Sequence, residues 1–389
     1  MQILYYNWFE NSKDDMIASL RELGHEVQVT TECFTDYNSS EEAARILGPS
    51  FDNSAIDAIF SFNYFPAIAE FSHQHSVSYL SWVYDCPHLT LFSNTVRYPE
   101  NHIFLFDQKM CEMVRSFGAV HAHHLPLAAN VPRLSAQLAG HRDDIHPVSF
   151  VGSLYTNNMF DQIRFLPNYV SGYLDGIISA QQQLWGCNLI SELLTEDLTE
   201  ELCKYIKLSL PDDYLLRPRD IFADMICKKI ASKERQRLLQ QIRSSYDLSL
   251  YTNPDEALPA GLTTLGYADY NTQMPSIFRG SRINLNISLR SIESGIPLRA
   301  IDIMACGGFL LSNYQPELDQ YFVAGEEYDF FINESDMMNK IDYYLSHDEK
   351  RRQIAEQGRK KVAEQFSYSS AIASMLRACN LAASSVSPR

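Results

Sequence analysis

Short apolar runs alternate with amphipathic stretches along the first part of the chain. The runs have the length of buried strands, and the stretches between them have the spacing of helices, with Gly24 and Gly118 placed as helix stops. The predicted strands are 3–6, 26–31, 56–62, 77–84, 103–106 and 119–127, and the predicted helices include 14–23 and 108–117. Strands that alternate with helices predict a parallel sheet covered on both faces.

A second series of the same kind follows a break in the pattern. Residues 132–147 lose the apolar periodicity and collect Pro, Gly, His and Asp, which is typical of a linker. Beyond it the predicted strands are 148–154, 248–251, 263–267, 283–287, 308–312 and 328–332.

These patterns predict an α/β protein of two domains. The first domain covers 1–131, the linker 132–147, and the second domain 148–366, with a helical insertion at about 158–245 where strand patterns are absent. Residues 367–389 are expected to form a C-terminal helix and tail that cross back to the first domain.

Composition narrows the classes of function. Hydrophobic residues make up 46% and charged residues 21% of the 389 residues, the balance of a folded protein with room for two domains. The net charge of −16 argues against nucleic acid and anionic membranes as partners, because both attract basic proteins. The eight cysteines stand singly, and neither a signal peptide nor an 18-residue apolar run is present. We therefore expect a cytoplasmic protein with reduced thiols and no integral membrane segment.

The segment 294–308, SGIPLRAIDIMACGG, carries the clearest chemical signal. A flexible Ser-Gly pair precedes Pro297, and a Gly-Gly pair follows Met304, so a helix is predicted between them. The N-terminus of such a helix offers free N–H groups and a positive dipole end, which together suit a diphosphate. Arg299 adds positive charge, and Asp302, three residues on, shares its face of the helix.

Positive charge is concentrated around this helix. Arginines stand at positions 279, 282, 290 and 299 against the single acid Glu293, in a chain that is otherwise acidic. An alternative remains open from composition alone: Arg299 and Asp302 could be an ordinary surface ion pair on a helix that merely packs.

Residues 295–307 resemble the C-terminal signature of glycosyltransferases with two facing Rossmann-like domains, the GT-B architecture. In that signature a Gly-aliphatic-Pro loop leads into a helix with an acidic residue before an aliphatic-Met-Ala-Cys-Gly run. The wider match is to bacterial spore-maturation-type glycosyltransferases and spans most of the chain, with SWVYDCPHLTLFS at 81–93, HLPLA at 124–128 and FVGSLY at 150–155. The resemblance implies that Asp302 holds the donor ribose and that the diphosphate site is lined by Gly295, Pro297, Leu298 and Arg299.

The chain departs from the resembled pattern at one position. Retaining members of the broader group carry a glutamate eight residues before the ribose acid, where this chain has Ser294, with Glu293 one residue off. Asp302 also replaces a longer glutamate. The resemblance therefore implies donor binding without implying a retaining mechanism.

Further candidate donor residues follow predicted strands. Gly152 and Ser153 form a turn that approaches the diphosphate in the resembled fold, and the hydroxyls of Ser153 and Tyr155 could donate hydrogen bonds to it. Without a G-x-G-x-x-G pattern, this turn could equally be structural. Tyr267, at the end of the predicted strand 263–267, is a candidate neighbour of the nucleobase, with ordinary packing as the alternative.

A transferase also needs a base for the acceptor hydroxyl. Asp85 follows the predicted strand 77–84 and is the first candidate catalytic residue, with His88 the second. A turn residue ahead of proline is the alternative for Asp85. Asp107 is better interpreted as a helix N-cap, and Asn63, at a comparable strand end, could contact the acceptor.

No metal site is predicted. The histidines at 73 and 75, and those at 121, 123 and 124, have no carboxylate or cysteine at ligand spacing. The resembled fold neutralises phosphate with a helix end and basic side chains.

We therefore predict a glycosyltransferase that moves a sugar from a nucleotide-diphosphate sugar, its co-substrate, to a hydroxyl of a carbohydrate or protein acceptor, without metal or other cofactor. The resemblance implies a role in glycan biosynthesis in a bacterium. Two alternatives stay open, a nucleotide-sugar epimerase and a non-catalytic nucleotide- or carbohydrate-binding protein. The residues do not specify the nucleobase, the stereochemical outcome or the oligomeric state.

Overall fold

The computed structural model describes residues 1–141, 145–163, 165–209 and 212–381. The chain divides into two compact units. Unit 1 comprises Met1–Asn130, Asp212–Leu215 and Gln365–Arg389, and unit 2 comprises Val131–Pro211 and Leu216–Glu364. Part of the predicted linker, 142–144, and the end of the predicted tail, 382–389, lie outside the described residues.

Unit 1 contains a six-stranded parallel sheet in the order β2-β1-β3-β4-β5-β6. Its strands are β1 (Gln2–Tyr5), β2 (Glu26–Val29), β3 (Ala58–Phe62), β4 (Ser78–Val83), β5 (Asn101–Leu105) and β6 (Ala122–His124). Its helices are α1 (Lys13–Glu22), α2 (Ser40–Asn53), α3 (Pro66–His75), α4 (Gln108–Ser116) and α15 (Tyr368–Ala378), with short 3₁₀ turns at Leu89–Phe92 and Asn94–Arg97. The inner strands β3 and β5 are buried along their whole length, as expected for a parallel sheet covered on both faces.

Unit 2 contains a five-stranded parallel sheet in the order β11-β10-β9-β7-β8. Its strands are β7 (His146–Val151), β8 (Leu248–Tyr251), β9 (Ser281–Asn286), β10 (Leu310–Asn313) and β11 (Asp329–Phe331). Its helices are α5 (Val131–Gln137), α6 (Asn168–Gln181), α7 (Ile190–Leu193), α8 (Glu196–Tyr205), α9 (Pro218–Ser245), α10 (Met274–Gly280), α11 (Leu298–Ala305), α12 (Pro316–Tyr321), α13 (Glu334–Ser346) and α14 (Asp348–Gln365), with a 3₁₀ turn at Met159–Gln162. The two parallel sheets confirm the predicted α/β fold class.

The predicted helical insertion contains two different parts. Helices α6, α7 and α8 share an apolar cluster with the first half of α9, through side chains such as Met225 and Ile230. The second half of α9 belongs to the core of the sheet, to which it contributes Leu238, Leu239 and Ile242. That second half is therefore the ordinary helical crossover between the parallel strands β7 and β8.

Part of the predicted linker is helical. Helix α5 begins at Val131, and its Val131 and Leu134 are buried one turn apart, a spacing that the surrounding Pro and Gly obscured. The predicted strand 263–267 is irregular. The amide of Leu265 donates to the Leu250 carbonyl at 2.8 Å, but Gly266 has a φ of 96°, which extended strands do not adopt.

Each sheet has a point at which the strand order reverses. In unit 1 it falls between β1 and β3, and in unit 2 between β7 and β9. Ligands of open α/β sheets bind outside the carboxyl ends of the strands at such points. The residues that follow β7 and β9 are therefore the first place to look for a site in unit 2.

Candidate donor-binding site

Helix α11 ends as its sequence predicts. Gly307 has a φ of 74°, its amide donates to the Met304 carbonyl at 2.9 Å, and the amide of Gly308 donates to Ile303 at 2.9 Å. This is the Schellman arrangement, which needs a residue without Cβ strain at the position of Gly307. The helix therefore stops directly before the buried strand β10.

The N-terminus of α11 is not capped by the side chain of its N-cap residue. Pro297 is its N-cap and provides no side-chain hydrogen bond. The first two amides, at Leu298 and Arg299, have no backbone acceptor among the described residues. An uncapped N-terminus of this kind presents N–H groups and a positive dipole end to an anion.

The Arg299 side chain runs from the first turn of α11 to the end of β7. Its Nη1 donates to Oδ1 of Asn286 at 3.2 Å, and its Cζ lies 5.4 Å from the centre of the Phe150 ring. A Cβ at Gly152 would overlap the Arg299 guanidinium and lie 3.0 Å from its Cζ. Gly152, whose φ is 150°, thus makes room for Arg299 at the strand-order reversal.

A second arginine, Arg235 of α9, spans the same reversal. Its guanidinium donates to the carbonyl of Ser153, which follows β7, and to the carbonyl of Ile287, which follows β9. The Tyr155 ring lies over it, with the ring centre 5.0 Å from Cζ. Arg235 is 2% exposed, so the charge is held in a rigid and nearly dry place.

Neither Arg235 nor Arg299 forms a salt bridge within the described part of the chain. Burial, followed by the positive charge of Arg235, lowers the pKa of Arg299 to about 10. Burial also lowers the pKa of Arg235. The lowered pKa values mean that the protein stabilises these cations less than water does, so an anion at this point would be attracted.

The predicted Gly152-Ser153 turn is stabilised by a carboxylate that the sequence did not single out. Glu256 accepts hydrogen bonds from the Ser153 hydroxyl, from the Leu154 amide and, at 3.0 Å, from the Tyr155 amide. Tyr155 has a φ of 53°, a conformation that these bonds help to hold. The Ser153 hydroxyl is therefore engaged with Glu256, although it was predicted as a donor to the diphosphate.

Asp302 lies on the buried side of α11, 7% exposed. One carboxylate oxygen accepts a hydrogen bond from the Tyr270 hydroxyl at 3.2 Å. The negative charge of Asp302 acts to raise the pKa of Arg299, but this effect is smaller than the lowering of that pKa by burial. The predicted neighbourhood of Arg299 and Asp302 thus exists as an electrostatic contact. Tyr267 is 60% exposed in the irregular loop before α10.

The predicted arginine cluster does not form one patch. Arg290 makes a buried pair with Glu234 and lies 4.0 Å from the centre of the Trp185 ring. Arg282 pairs with Asp348. The extra positive charge at the site comes instead from Arg235, which is distant in sequence.

The candidate catalytic residues lie in unit 1 after β4. Asp85 is exposed, and its Oδ2 accepts a hydrogen bond from Nδ2 of Asn63 at 2.7 Å. Asn63 is 2% exposed, has a φ of 60°, and accepts from the amides of Tyr84 and Asp85 through its Oδ1. His88 lies with its Nε2 3.0 Å from the Tyr64 carbonyl oxygen. Asp107 caps α4 by accepting from the Met110 amide at 3.0 Å, which confirms its interpretation as an N-cap.

Sequence reasoning missed Arg235 and Glu256. Arg235 had one available signal, because it falls on the buried face of α9 with Ala231, Leu238 and Ile242, at the spacing of a helical apolar stripe. A charged residue in such a stripe is rarely buried without a reason. Glu256 lies in a loop and had no comparable signal.

Residues 233–377 match a family model described as glycosyl transferase-like. No curated protein sequence matches the chain. Among solved structures, the fold is similar to a sucrose-phosphate synthase from Thermosynechococcus elongatus, at 10% identity over 97% of this chain and 98% of that one, with a TM-score of 0.55. It is also similar to HepE from Anabaena in complex with UDP-glucose, at 10% identity over 98% and 99%, with a TM-score of 0.53. A glycosyltransferase from Rickettsia africae is 11% identical over 99% of both chains, with a TM-score of 0.52.

The matched segment 233–377 contains Arg235, Arg299 and Asp302, so the family model covers the donor side of the candidate site. The architecture of the whole chain is that of the glycosyltransferases with two Rossmann-like units, the GT-B type. These findings confirm the predicted fold, and the family match over 233–377 supports the predicted class of enzyme. Among the described residues, no helix is both long and apolar enough to span a membrane.

Proposed function

We propose that unit 2 binds the diphosphate of a nucleotide sugar at the strand-order reversal between β7 and β9, as the donor step of a sugar transfer. The observation that carries this proposal is a pair of arginines, Arg235, which is buried, and Arg299, which is partly buried. Neither has a salt-bridge partner in the described residues. The N-terminus of α11 adds two amides without a backbone acceptor among the described residues, and a positive dipole end, beside the Arg299 side chain.

This arrangement suits the transition state of the transfer. When the bond between the sugar and the diphosphate breaks, negative charge builds up on the leaving phosphate oxygens. Arg235 is already held by two carbonyls and Arg299 by Asn286, so neither needs to reorganise when that charge appears. Fixed donors in a dry site are the most effective form of such stabilisation.

The other predicted donor residues take supporting roles in this proposal. Gly152 leaves the space that Arg299 occupies, while Ser153 and Tyr155 shape the turn through their bonds to Glu256. Asp302 is proposed to accept from the donor ribose, as the resemblance implies, with Tyr270 fixing the carboxylate.

Calorimetry with UDP tests the donor assignment, since the related HepE is bound to UDP-glucose. Arg299→Met and Arg235→Met should each weaken UDP binding at least ~10-fold, because each removes a charge-assisted contact worth about 1.5–3 kcal/mol. The matched control is Arg237→Met on the same helix, whose exposed side chain pairs with Glu334. Equal UDP affinity in wild type, Arg299→Met and Arg235→Met contradicts the proposal.

We also propose that the donor step needs no divalent cation. Two guanidinium groups and a helix end supply the positive charge that a metal ion supplies in other transferases. Sugar transfer, or slow donor hydrolysis, should continue at the same rate in excess EDTA. A rate that collapses in EDTA and returns with Mg²⁺ or Mn²⁺ contradicts this part of the proposal.

The acceptor is proposed to be a carbohydrate or a protein, and Asp85 the base that takes its hydroxyl proton. The cytoplasm is the proposed location, a compartment that suits the eight free thiols. The bacterial spore-maturation-type subfamily and its role in glycan biosynthesis stay predictions, which a panel of donors and acceptors would test.

A further inference from the structure

Unit 1 brings three histidines together from two neighbouring strands. His102 is the second residue of β5, and His121 and His123 lie just before and within β6. The strands pair in parallel with Phe104 opposite His123, and the Ile103 amide donates to the His121 carbonyl at 2.8 Å. This register places His102 beside His121 on one face of the sheet. Ligand nitrogens of the three side chains all lie within 4.8 Å of one another.

Two of the ring nitrogens are buried without a hydrogen bond among the described residues. They are Nδ1 of His102 and Nε2 of His123. His102 is 8% exposed, so water has little access to it. Buried polar atoms are nearly always satisfied, and two exceptions within one cluster indicate that a partner is missing.

Two of the three rings, those of His102 and His123, have lowered pKa values. Burial and the neighbouring imidazoles lower the pKa of His102 to about 4, and burial also lowers the pKa of His123. Neutral imidazole is the form that binds metals. The rings of His102 and His121 are stacked with centres 4.7 Å apart and planes 11° from parallel. Rotation about χ2, a broad torsion in histidine, can turn their nitrogens towards a common point.

We propose that His102, His121 and His123 bind one first-row transition-metal ion of the Zn²⁺ type, with a fourth position open to water. Three histidines are a ligand set that zinc uses, at about 2.0–2.1 Å from each nitrogen. Tetrahedral geometry at that length separates two ligand nitrogens by about 3.4 Å. Nitrogens as far apart as 4.8 Å would therefore have to approach one another by about 1.4 Å to bind one ion.

The chemistry of the ligands determines which ions can bind. The all-nitrogen ligand set disfavours Mg²⁺ and Ca²⁺, which prefer oxygen ligands, whereas Zn²⁺, Co²⁺ and Ni²⁺ bind imidazole strongly. The site lies at the amino ends of β5 and β6, whereas Asp85 and Asn63 follow the carboxyl ends of their strands. The proposed metal site is therefore separate from the candidate catalytic residues of unit 1.

The sequence alone predicted no metal, because no carboxylate or cysteine stands at ligand spacing from His121, His123 and His124. His124 follows His123 on β6, and successive side chains of a strand point to opposite faces. The third ligand comes instead from His102 on the neighbouring strand, which spacing along the chain cannot reveal.

Titration of the EDTA-treated full-length chain with Co²⁺, followed by displacement with Zn²⁺, tests the site. We expect one equivalent of Co²⁺ with visible bands of tetrahedral intensity and no thiolate-to-metal charge-transfer band. His102→Gln, His121→Gln and His123→Gln should each weaken binding at least ~10-fold, whereas the control His124→Gln should bind as wild type does. Mg²⁺ at millimolar concentration should not compete.

The visible spectrum of wild-type protein with Co²⁺ tests the proposal even if a variant does not fold. Lack of stoichiometric Co²⁺ binding to the wild type overturns the proposal, and so does a thiolate band, which would assign the ion to a cysteine. Unchanged affinity in a folded His123→Gln also overturns it. UDP binding by the wild type is measured separately, so failure here leaves the donor proposal untouched.

Discussion

The Ser294 hydroxyl donates a hydrogen bond to Oε1 of Glu317 at 2.7 Å, and the Glu317 amide donates to the Ser294 carbonyl at 3.0 Å. Both residues are buried, at 8% and 2% exposure. Ser294 stands where the resembled retaining enzymes carry a glutamate. A carboxylate thus lies beside this position in the folded chain, although it belongs to another element, α12.

The Ser294–Glu317 contact predicts the effect of restoring the glutamate. Ser294→Glu would place two carboxylates side by side out of water and should destabilise unit 2 by about 3–5 kcal/mol, the cost of an uncompensated buried charge. Ser294→Ala loses one hydrogen bond to a charged group and should cost about 1.5–3 kcal/mol. Chemical denaturation of the two variants beside wild type measures both. A Ser294→Glu protein as stable as wild type is incompatible with the observed contact.

The close approach of Gly152 to Arg299 predicts that adding one methyl group at Gly152 weakens UDP binding. The Cβ of Gly152→Ala would collide with the Arg299 guanidinium, and the φ of 150° is one that alanine rarely adopts. Arg299 should be displaced, and UDP affinity should fall at least ~10-fold, as for loss of one charge-assisted contact. The matched control is Gly172→Ala in α6, where a Cβ meets open space and helix propensity should improve. Calorimetry showing wild-type UDP affinity in Gly152→Ala would contradict the prediction that a Cβ at this position displaces Arg299.

His88 predicts a loss of stability in mild acid. Burial lowers the pKa of His88 from its usual value near 6.5, while the negative charge of Asp85 acts in the opposite direction and is the smaller effect. A lowered pKa in the folded state means that the unfolded chain takes up the proton first. The stabilisation is therefore complete above about pH 6.5 and is lost as the pH falls towards the folded-state pKa.

Urea unfolding at pH 7 and at pH 5 measures this linkage. The urea concentration at the unfolding midpoint of the wild type should be lower at pH 5 than at pH 7. His88 should contribute up to about 1.4 kcal/mol per pH unit to the loss of unfolding free energy. The midpoint of His88→Asn should fall less, so the two proteins should be closer in stability at pH 5 than at pH 7. Parallel pH profiles of wild type and variant would rule out His88 as a source of the acid sensitivity.

Asp85 predicts a loss of turnover without a loss of donor binding. Asp85→Asn keeps an acceptor for the Asn63 amide but removes the group that can take a proton, so kcat should fall by about 10²–10⁴. UDP affinity should stay within the error of the measurement, because Asp85 belongs to unit 1 and the proposed donor contacts to unit 2. Asp14→Asn, which changes a highly exposed carboxylate on α1, is the control. Full activity in Asp85→Asn removes it as the base.

Local chemistry in the sequence was enough to predict most elements near the site. The strand β8 has the predicted bounds, 248–251, and α11 begins after Pro297 and ends in the Gly-Gly stop. Proline and glycine impose backbone conformations through their own covalent structure, whatever surrounds them. The irregular segment at 263–267 shows the limit, because Gly266 adopts a positive φ that the apolar pattern did not reveal.

The partners of the charged and polar groups were decided only by the tertiary structure. Parallel strands that are neighbours in a sheet are separated in sequence by whole crossovers, so the sequence does not state which residues meet at their ends. Arg235 reaches the strand-order reversal from α9, Glu256 stabilises the turn from a distant loop, and His102 joins His121 from the next strand. By itself the sequence determined the alternation of strands and helices and the position of α11, which has Arg299 in its first turn, because periodicity and backbone restriction are local properties. Folding decided which arginines of the described residues pair with a carboxylate, because electrostatic pairing depends on distances in space.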